Sequence, residues 1–251
     1  MPAVAKLMNF KGHNGFKPCR FCEIPAVRAE NNRVNCIPLD RAAFPPLRGY
    51  PSSFLPDSLT FRTHEQLRHT AERIVNAESD RAAEDIAKDS GVKGDSIWRI
   101  FGSIVWPWAF PLDFMHLLFE NVAPLLLGLW AGENRHGSEE DDFIIPYATL
   151  SAIAEQVAES GNTIPSTFGR RVPHLLNKRH EFIAETWMLW IQQLAPVVLS
   201  GRFTKDAHYT HLVDLSRCVN DCLDFGYRAG FAEKVRRTLA RWVTKYEHLY
   251  F

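Results

Sequence analysis

The chain has 251 residues, with 29 basic and 29 acidic side chains and a balanced formal charge. Hydrophobic residues make up 46% and charged residues 23%, which excludes a disordered tail protein, and the zero net charge excludes a histone-like basic protein. This length suits one large domain or two small ones, with a core that needs no disulfide staples.

Residues 1–62 are rich in Pro, Gly, Asn and Arg and carry three of the five cysteines, Cys19, Cys22 and Cys36. They show little helical period, and only Arg33 to Leu39 suggests an extended segment. The opening MPAVAKLMNF is interrupted by Lys6 and Asn9, so no secretory signal is expected. Five cysteines without a signal point to a reducing, intracellular compartment, with thiols free or on a metal.

Residues 63–104 read as a polar helical linker. Thr63 with Gln66 forms a capping box, which starts a helix near His64 that runs through Leu67, Ala71, Ile74 and Val75. Ser79 caps a second short helix that ends at Gly91.

Residues 105–251 hold six of the seven tryptophans and carry a 3.6-residue apolar period almost throughout. Leu112 to Trp130 is apolar nearly all round after Pro124, a residue that should kink the helix or start a new one. The clean run from Val122 to Gly132 is shorter than the roughly 20 residues a bilayer requires, so no membrane span is expected. The acidic run Glu133 to Asp142 reads as a solvated loop. Pro146 occupies a first-turn position, followed by Leu150, Ile153, Ala154 and Val157 at helical spacing, and Gly161 stops that helix. Three further stripes follow: Ile183, Trp187, Trp190, Ile191, Leu194 and Val198; then Leu212, Leu215, Val219 and Cys222; then Phe231, Val235, Leu239, Trp242, Tyr246 and Leu249. The fold class expected is mainly α, a helical domain preceded by an irregular region. Cys218 and Cys222, four apart, read as core.

Two local motifs carry chemistry. In Gly12 to Cys22 (GHNGFKPCRFC), two thiolates at C-x-x-C spacing can bite one tetrahedral Zn²⁺, and Pro18 and the glycines favour the required turn. His13, upstream, and Cys36, downstream, are available to complete such a set, and two unmetallated thiols in a loop are the other reading. In Phe110 to Asn121 (FPLDFMHLLFEN), Asp113, His116 and Glu120 fall on one helix face. A carboxylate and an imidazole three apart can share a metal or a proton. Alternatively Asp113 caps the helix and His116 is a satisfied core histidine. A third feature is electrostatic: Lys6, Lys11, Lys17 and Arg20 precede the first acid, Glu23, and interleave with Phe10, Phe16 and Phe21. That mix suits weak, non-specific contact with nucleic-acid phosphates, or a solvated basic loop. Phosphate-binding glycine loops, a G-x-S-x-G elbow and H-E-x-x-H are absent.

The order PAVAKLMNFKGHNGFKPCRFC, FPLDFMHLLFENV, NTIPSTFGRRVP and LAPVVL resembles the transposases of CACTA (En/Spm-type) DNA transposons, the fungal copies above all, over nearly the whole chain. The resemblance implies part of an RNase H-like core, residues 1–62, joined by 63–104 to a helical insertion domain, residues 105–251. It implies nuclear DDE chemistry, in which three carboxylates hold two Mg²⁺ ions that activate water and then a DNA 3′-hydroxyl. It also implies a structural zinc on Cys19, Cys22 and His116, completed by His13 or Cys36, with Asp113 orienting His116. In the family an Asp precedes the x-Pro-Ala of the first block. Met1 stands at that x, so two of the expected acids fall outside this chain, and Glu120, Glu181 and Glu185 are the candidates for the third. The chain is therefore expected to be a fragment that holds no Mg²⁺ and is inactive alone, or a helical DNA- or protein-binding module derived from such an enzyme.

Overall fold

A computed structural model describes residues 2–12, 15–28, 34–36, 38–133, 141–224, 226 and 228–251. The chain is mainly α-helical and divides into two compact units, Met1–Pro111 and Leu112–Phe251.

In the first unit, helix α1 (Pro2–Leu7) is followed by a long irregular stretch with one small antiparallel pair, β1 (Val27–Arg28) and β2 (Val34–Asn35). Isolated bridges Phe10↔Val92, Cys22↔Phe61 and Asp40↔Ser53 hold the rest. Helix α2 (His64–Val75) begins with the expected capping box. The Thr63 hydroxyl accepts from the Gln66 N–H at 3.2 Å, and the Gln66 side chain accepts from the Thr63 N–H at 2.9 Å. Helix α3 (Asp80–Ser90) is capped by Ser79 and closed by Gly91 at φ 79°. A Cβ at Gly91 would lie 2.4 Å from the Lys17 carbonyl oxygen, so glycine is required here by backbone conformation and by close approach together. Met8, Phe10, Leu67, Ala71, Val92 and Trp106 form the core of this unit.

That core corrects the expected three-part division. The segment 63–104 is no linker: α2 and α3 pack on each other, and Leu67 and Ala71 bury against Met8 and Phe10. The polar composition of 63–104 reflects exposed outer faces of short helices, and the boundary falls after Pro111.

In the second unit, a π-helical segment (Met115–Val122) runs into α4 (Ala123–Trp130). Then come α5 (Tyr147–Ser160), α6 (Ala184–Leu189), a second π segment (Trp190–Leu194), α7 (Ala195–Val198), α8 (Asp206–Leu223) and α9 (Phe231–Tyr250). Both π segments end two residues before a proline, Pro124 and Pro196. A proline ring clashes with the carbonyl four residues back and offers it no donor. Widening the preceding turns accommodates that carbonyl, so the helix runs on at Pro124 instead of breaking. Leu126, Leu127, Trp130, Leu150, Ala154, Trp190, Ile191, Leu212 and Leu215 belong to one core.

Smaller differences have local causes. Ile183 is the N-cap of α6 and exposed, so it leaves the apolar stripe. Gly161 ends α5 at negative φ, and its missing side chain makes room for Arg171, whose Cγ would lie 3.0 Å from a Cβ there. Residues 134–140 of the acidic run lie outside the described residues. Its ends are engaged: Glu133 pairs with Arg179, and Asp142 with Lys205 and His208.

Candidate functional site

The C-x-x-C turn is held from inside by an arginine. Arg62, 3% exposed, donates from Nε to the carbonyls of Cys19 (3.1 Å) and Cys22 (3.2 Å), and from Nη2 to that of Lys17 (3.2 Å). The Arg62 N–H also donates to the Phe21 carbonyl, and the guanidinium lies over the Phe10 ring. The Cys22 N–H donates to Cys19 Sγ at 3.4 Å. The Cys22 thiol donates to the same sulfur and, against the cost of burial and with help from the Cys22 and Phe21 amides and the Arg62 charge, lowers the Cys19 pKa to about 6. The proton stays on Cys22, whose pKa is raised by that bond and by burial. Cys36 is pushed up by burial and by the charge of Cys19, and its carbonyl accepts from Arg41 Nη2 at 2.9 Å.

Two sulfurs on one turn, one already favoured as thiolate, fit half of a tetrahedral zinc set. Among the described residues no group of three His, Cys, Asp or Glu side chains is gathered for a metal. His13, an expected ligand, lies outside the described residues. Cys19 and Cys22 belong to the first unit and His116 to the second.

In the second unit, Asp113 stands at the start of the first π segment. Its Oδ1 accepts the N–H groups of Met115 (3.0 Å) and His116 (3.2 Å), and its Oδ2 lies 2.6 Å from His116 Nδ1. The His116 amide, then its ring, lower the Asp113 pKa. The ring is thereby oriented by Asp113, and its Nε2 lies 3.4 Å from Glu120 Oε2. Asn121 donates to the His116 carbonyl. Asp113 therefore caps and orients at once. The core reading of His116 is corrected: its side chain is half exposed, on a surface it shares with the polar side chains of Asp113 and Glu120. An imidazole held between two carboxylates can share a cation or a proton with them.

The other two glutamates have different partners. Glu181 pairs with Lys178 at 3.5 Å, and Glu185 Oε1 accepts the Arg170 N–H at 3.3 Å across the loop at Gly169.

The four basic residues do not form one uncompensated surface. Lys11 pairs with Glu84 of α3 at 2.8 Å, an acid 73 residues along the chain. Arg20 donates to the carbonyls of Phe110 (3.2 Å) and Pro111 (2.8 Å) and lies 4.7 Å over the Phe21 ring. Lys17 lies over the Tyr50 ring at 5.6 Å, and Lys6 is exposed in the last turn of α1. A polar cleft of about 190 Å³ beside the turn is bordered by Lys17, Arg62 and Arg73 with Glu23 and Asp89.

Arg41 and Arg62 are the site residues that sequence reasoning passed over. Arg41, 5% exposed, reaches the carbonyls of Pro25 (2.5 Å), Cys36 and Pro38 (3.3 Å). Their only signal is two arginines in a segment rich in Pro and Gly, whose irregular backbone leaves carbonyls in need of donors.

Compared with protein-family models, curated protein sequences and solved structures, the chain matches none.

Proposed function

We propose that this chain is a portion of a DDE-type DNA transposase of the CACTA kind, a nuclear protein that engages DNA and does not cut it alone. The irregular stretch of the first unit represents part of the RNase H-like core, and the second unit represents the helical insertion. The observation that carries this reading is the Cys19–Cys22 turn. It is pre-shaped by Arg62, with one sulfur favoured as thiolate, as a structural zinc requires. Zinc would cross-link a region that has little regular structure of its own. The oriented Asp113–His116 pair supports the same reading, because it occupies the second motif on which the resemblance rests. Glu120, Glu181 and Glu185 face His116, Lys178 and the Arg170 amide, whereas a two-metal centre needs carboxylates that converge. The closed core of the second unit favours one further reading, a helical DNA- or protein-binding module retained from such an enzyme.

The test is a duplex DNA titration over a range of salt, with cleavage assayed in Mg²⁺ and in Mn²⁺. Binding should be sequence-tolerant, with a dissociation constant on the order of 10⁻⁴–10⁻⁶ M and a log–log salt slope no steeper than about −4. Joint replacement of Lys6 and Lys17 by Ala should flatten the slope, and Lys11→Ala should change it least, since Glu84 already neutralises that ammonium. No DNA strand should be nicked. Absence of binding, or cleavage abolished by Asp113→Asn, would overturn the reading.

A further inference from the structure

Beside the C-x-x-C turn, three aromatic rings meet at the surface of the first unit. Trp108 lies 5.4 Å from Phe21 and 5.9 Å from Phe61, ring centre to ring centre. Trp108 and Phe61 are each 54% exposed. Phe21 is held in place by the turn, and the Cys22↔Phe61 bridge ties its neighbour to the segment that carries Phe61. Arg20 covers the Phe21 ring while its guanidinium is fixed by the carbonyls of Phe110 and Pro111, on the same loop as Trp108.

An aromatic cluster half open to water forfeits the burial free energy its rings could gain, about 25 cal/mol per Å² of apolar surface. Such patches mark places where something binds. Three features identify the occupant. The cluster consists of flat aromatic faces. A cation is anchored against one of them by main-chain bonds, so a ring stacked there meets both a π-face and a guanidinium. And Lys17, on the same turn as Phe21 and over the Tyr50 ring, adds a second cation to that turn, which suits a polyanion. We infer that Phe21, Phe61, Trp108 and Arg20 form a stacking platform for unpaired bases of a single-stranded nucleic acid. This deepens the DNA-engaging reading above and rests on it. Duplex phosphates are met by the lysines, and bases released from pairing are met by the rings. Stacking accepts any base, since each has a π-face, so the platform is sequence-tolerant.

The test uses the full chain, an oligothymidylate of about 12 nucleotides and a duplex of the same length, at low salt. Wild type should bind the single strand more tightly than the duplex. Trp108→Leu, which keeps an apolar side chain and removes the π-face, should weaken single-strand binding by about tenfold or more, and leave duplex binding within about twofold. Trp108→Phe should restore most of the loss. Single-strand binding should quench tryptophan fluorescence in wild type, and this quenching should be largely gone in Trp108→Phe. Equal single-strand affinity in wild type and Trp108→Leu overturns the platform and leaves the duplex reading standing, as does tolerance of Leu together with capture of an apolar protein partner at this face. A parallel loss on both probes also overturns it. Failure of wild type to bind either probe overturns platform and duplex reading together.

Discussion

Arg62 is 3% exposed and directs its donors to the carbonyls of Lys17, Cys19 and Cys22. Burial lowers its pKa, opposed by Glu23 and the two cysteines, and an arginine stays protonated under such a shift. Arg62→Met should destabilise the chain by about 3 kcal/mol in urea denaturation, because buried carbonyls lose their donors. Arg62→Lys should recover only part, since an ammonium lacks the planar fork that spans these acceptors. A loss below about 1 kcal/mol for Met would show that water replaces the guanidinium there. At the same scale, with a chelator present, alkylation of Cys19 should rise with a midpoint near the value of about 6 set chiefly by the Cys22 thiol. Cys22→Ala should move that midpoint upward, and a wild-type midpoint near the ordinary thiol value of about 8.5 would contradict the geometry. The cysteine and Asp113–His116 motifs were legible because their partners lie three residues away. Arg62 was not, because its acceptors lie 40 to 45 residues back, and the Lys11–Glu84 pair spans 73.

Helices α8 and α9 show what periodicity captures and what it misses. The stripe Leu212, Leu215 and Val219 is buried as expected. His208 and His211, on the same helix, are also buried, and no apolar pattern identifies them. His211 Nε2 donates to the Trp242 carbonyl at 3.1 Å, and Trp242 Nε1 donates to the His211 carbonyl at 3.0 Å. The two rings stack at 4.3 Å. This reciprocal clasp holds a neutral imidazole. Burial lowers the His211 pKa to about 4, with the Trp242 carbonyl opposing. The unfolded chain therefore binds the extra proton first, near the ordinary value of about 6.5. Stability is full above that pH and declines as pH falls toward 4, by about 3 kcal/mol for a fully buried ring. Thermal melts from about pH 7 to about pH 4.5 should show this loss, and His211→Gln should flatten it. An equal slope in wild type and variant would rule out His211 as the titrating group. In the same bundle, Leu126→Ala should cost about 2–5 kcal/mol, read by denaturant unfolding, since no solvent reaches that side chain.

At the scale of the whole molecule, each unit has its own core. Residues 112–251 expressed alone should unfold cooperatively and resist limited proteolysis, and a non-cooperative melt would contradict a self-sufficient second core. The mainly α class and most helix boundaries were readable, because caps and apolar stripes are local signals. The unit boundary was not. Composition separated 63–104 from 1–62, whereas packing joins them through Leu67, Ala71, Met8 and Phe10. The π segments were also hidden, since they arise from how Pro124 and Pro196 fit their preceding turns. Among the described residues no helix is long and apolar enough to cross a membrane, in keeping with the apolar run that Glu120, Asn121 and Pro124 interrupt. The central claim, a zinc-braced transposase portion, turns on the two sulfurs of the C-x-x-C turn. X-ray absorption at the zinc edge of the purified chain should show one zinc with two sulfur neighbours at about 2.3 Å, lost when Cys19 and Cys22 are both replaced by Ser. A chain that retains no zinc, or zinc surrounded only by nitrogen and oxygen, would contradict it.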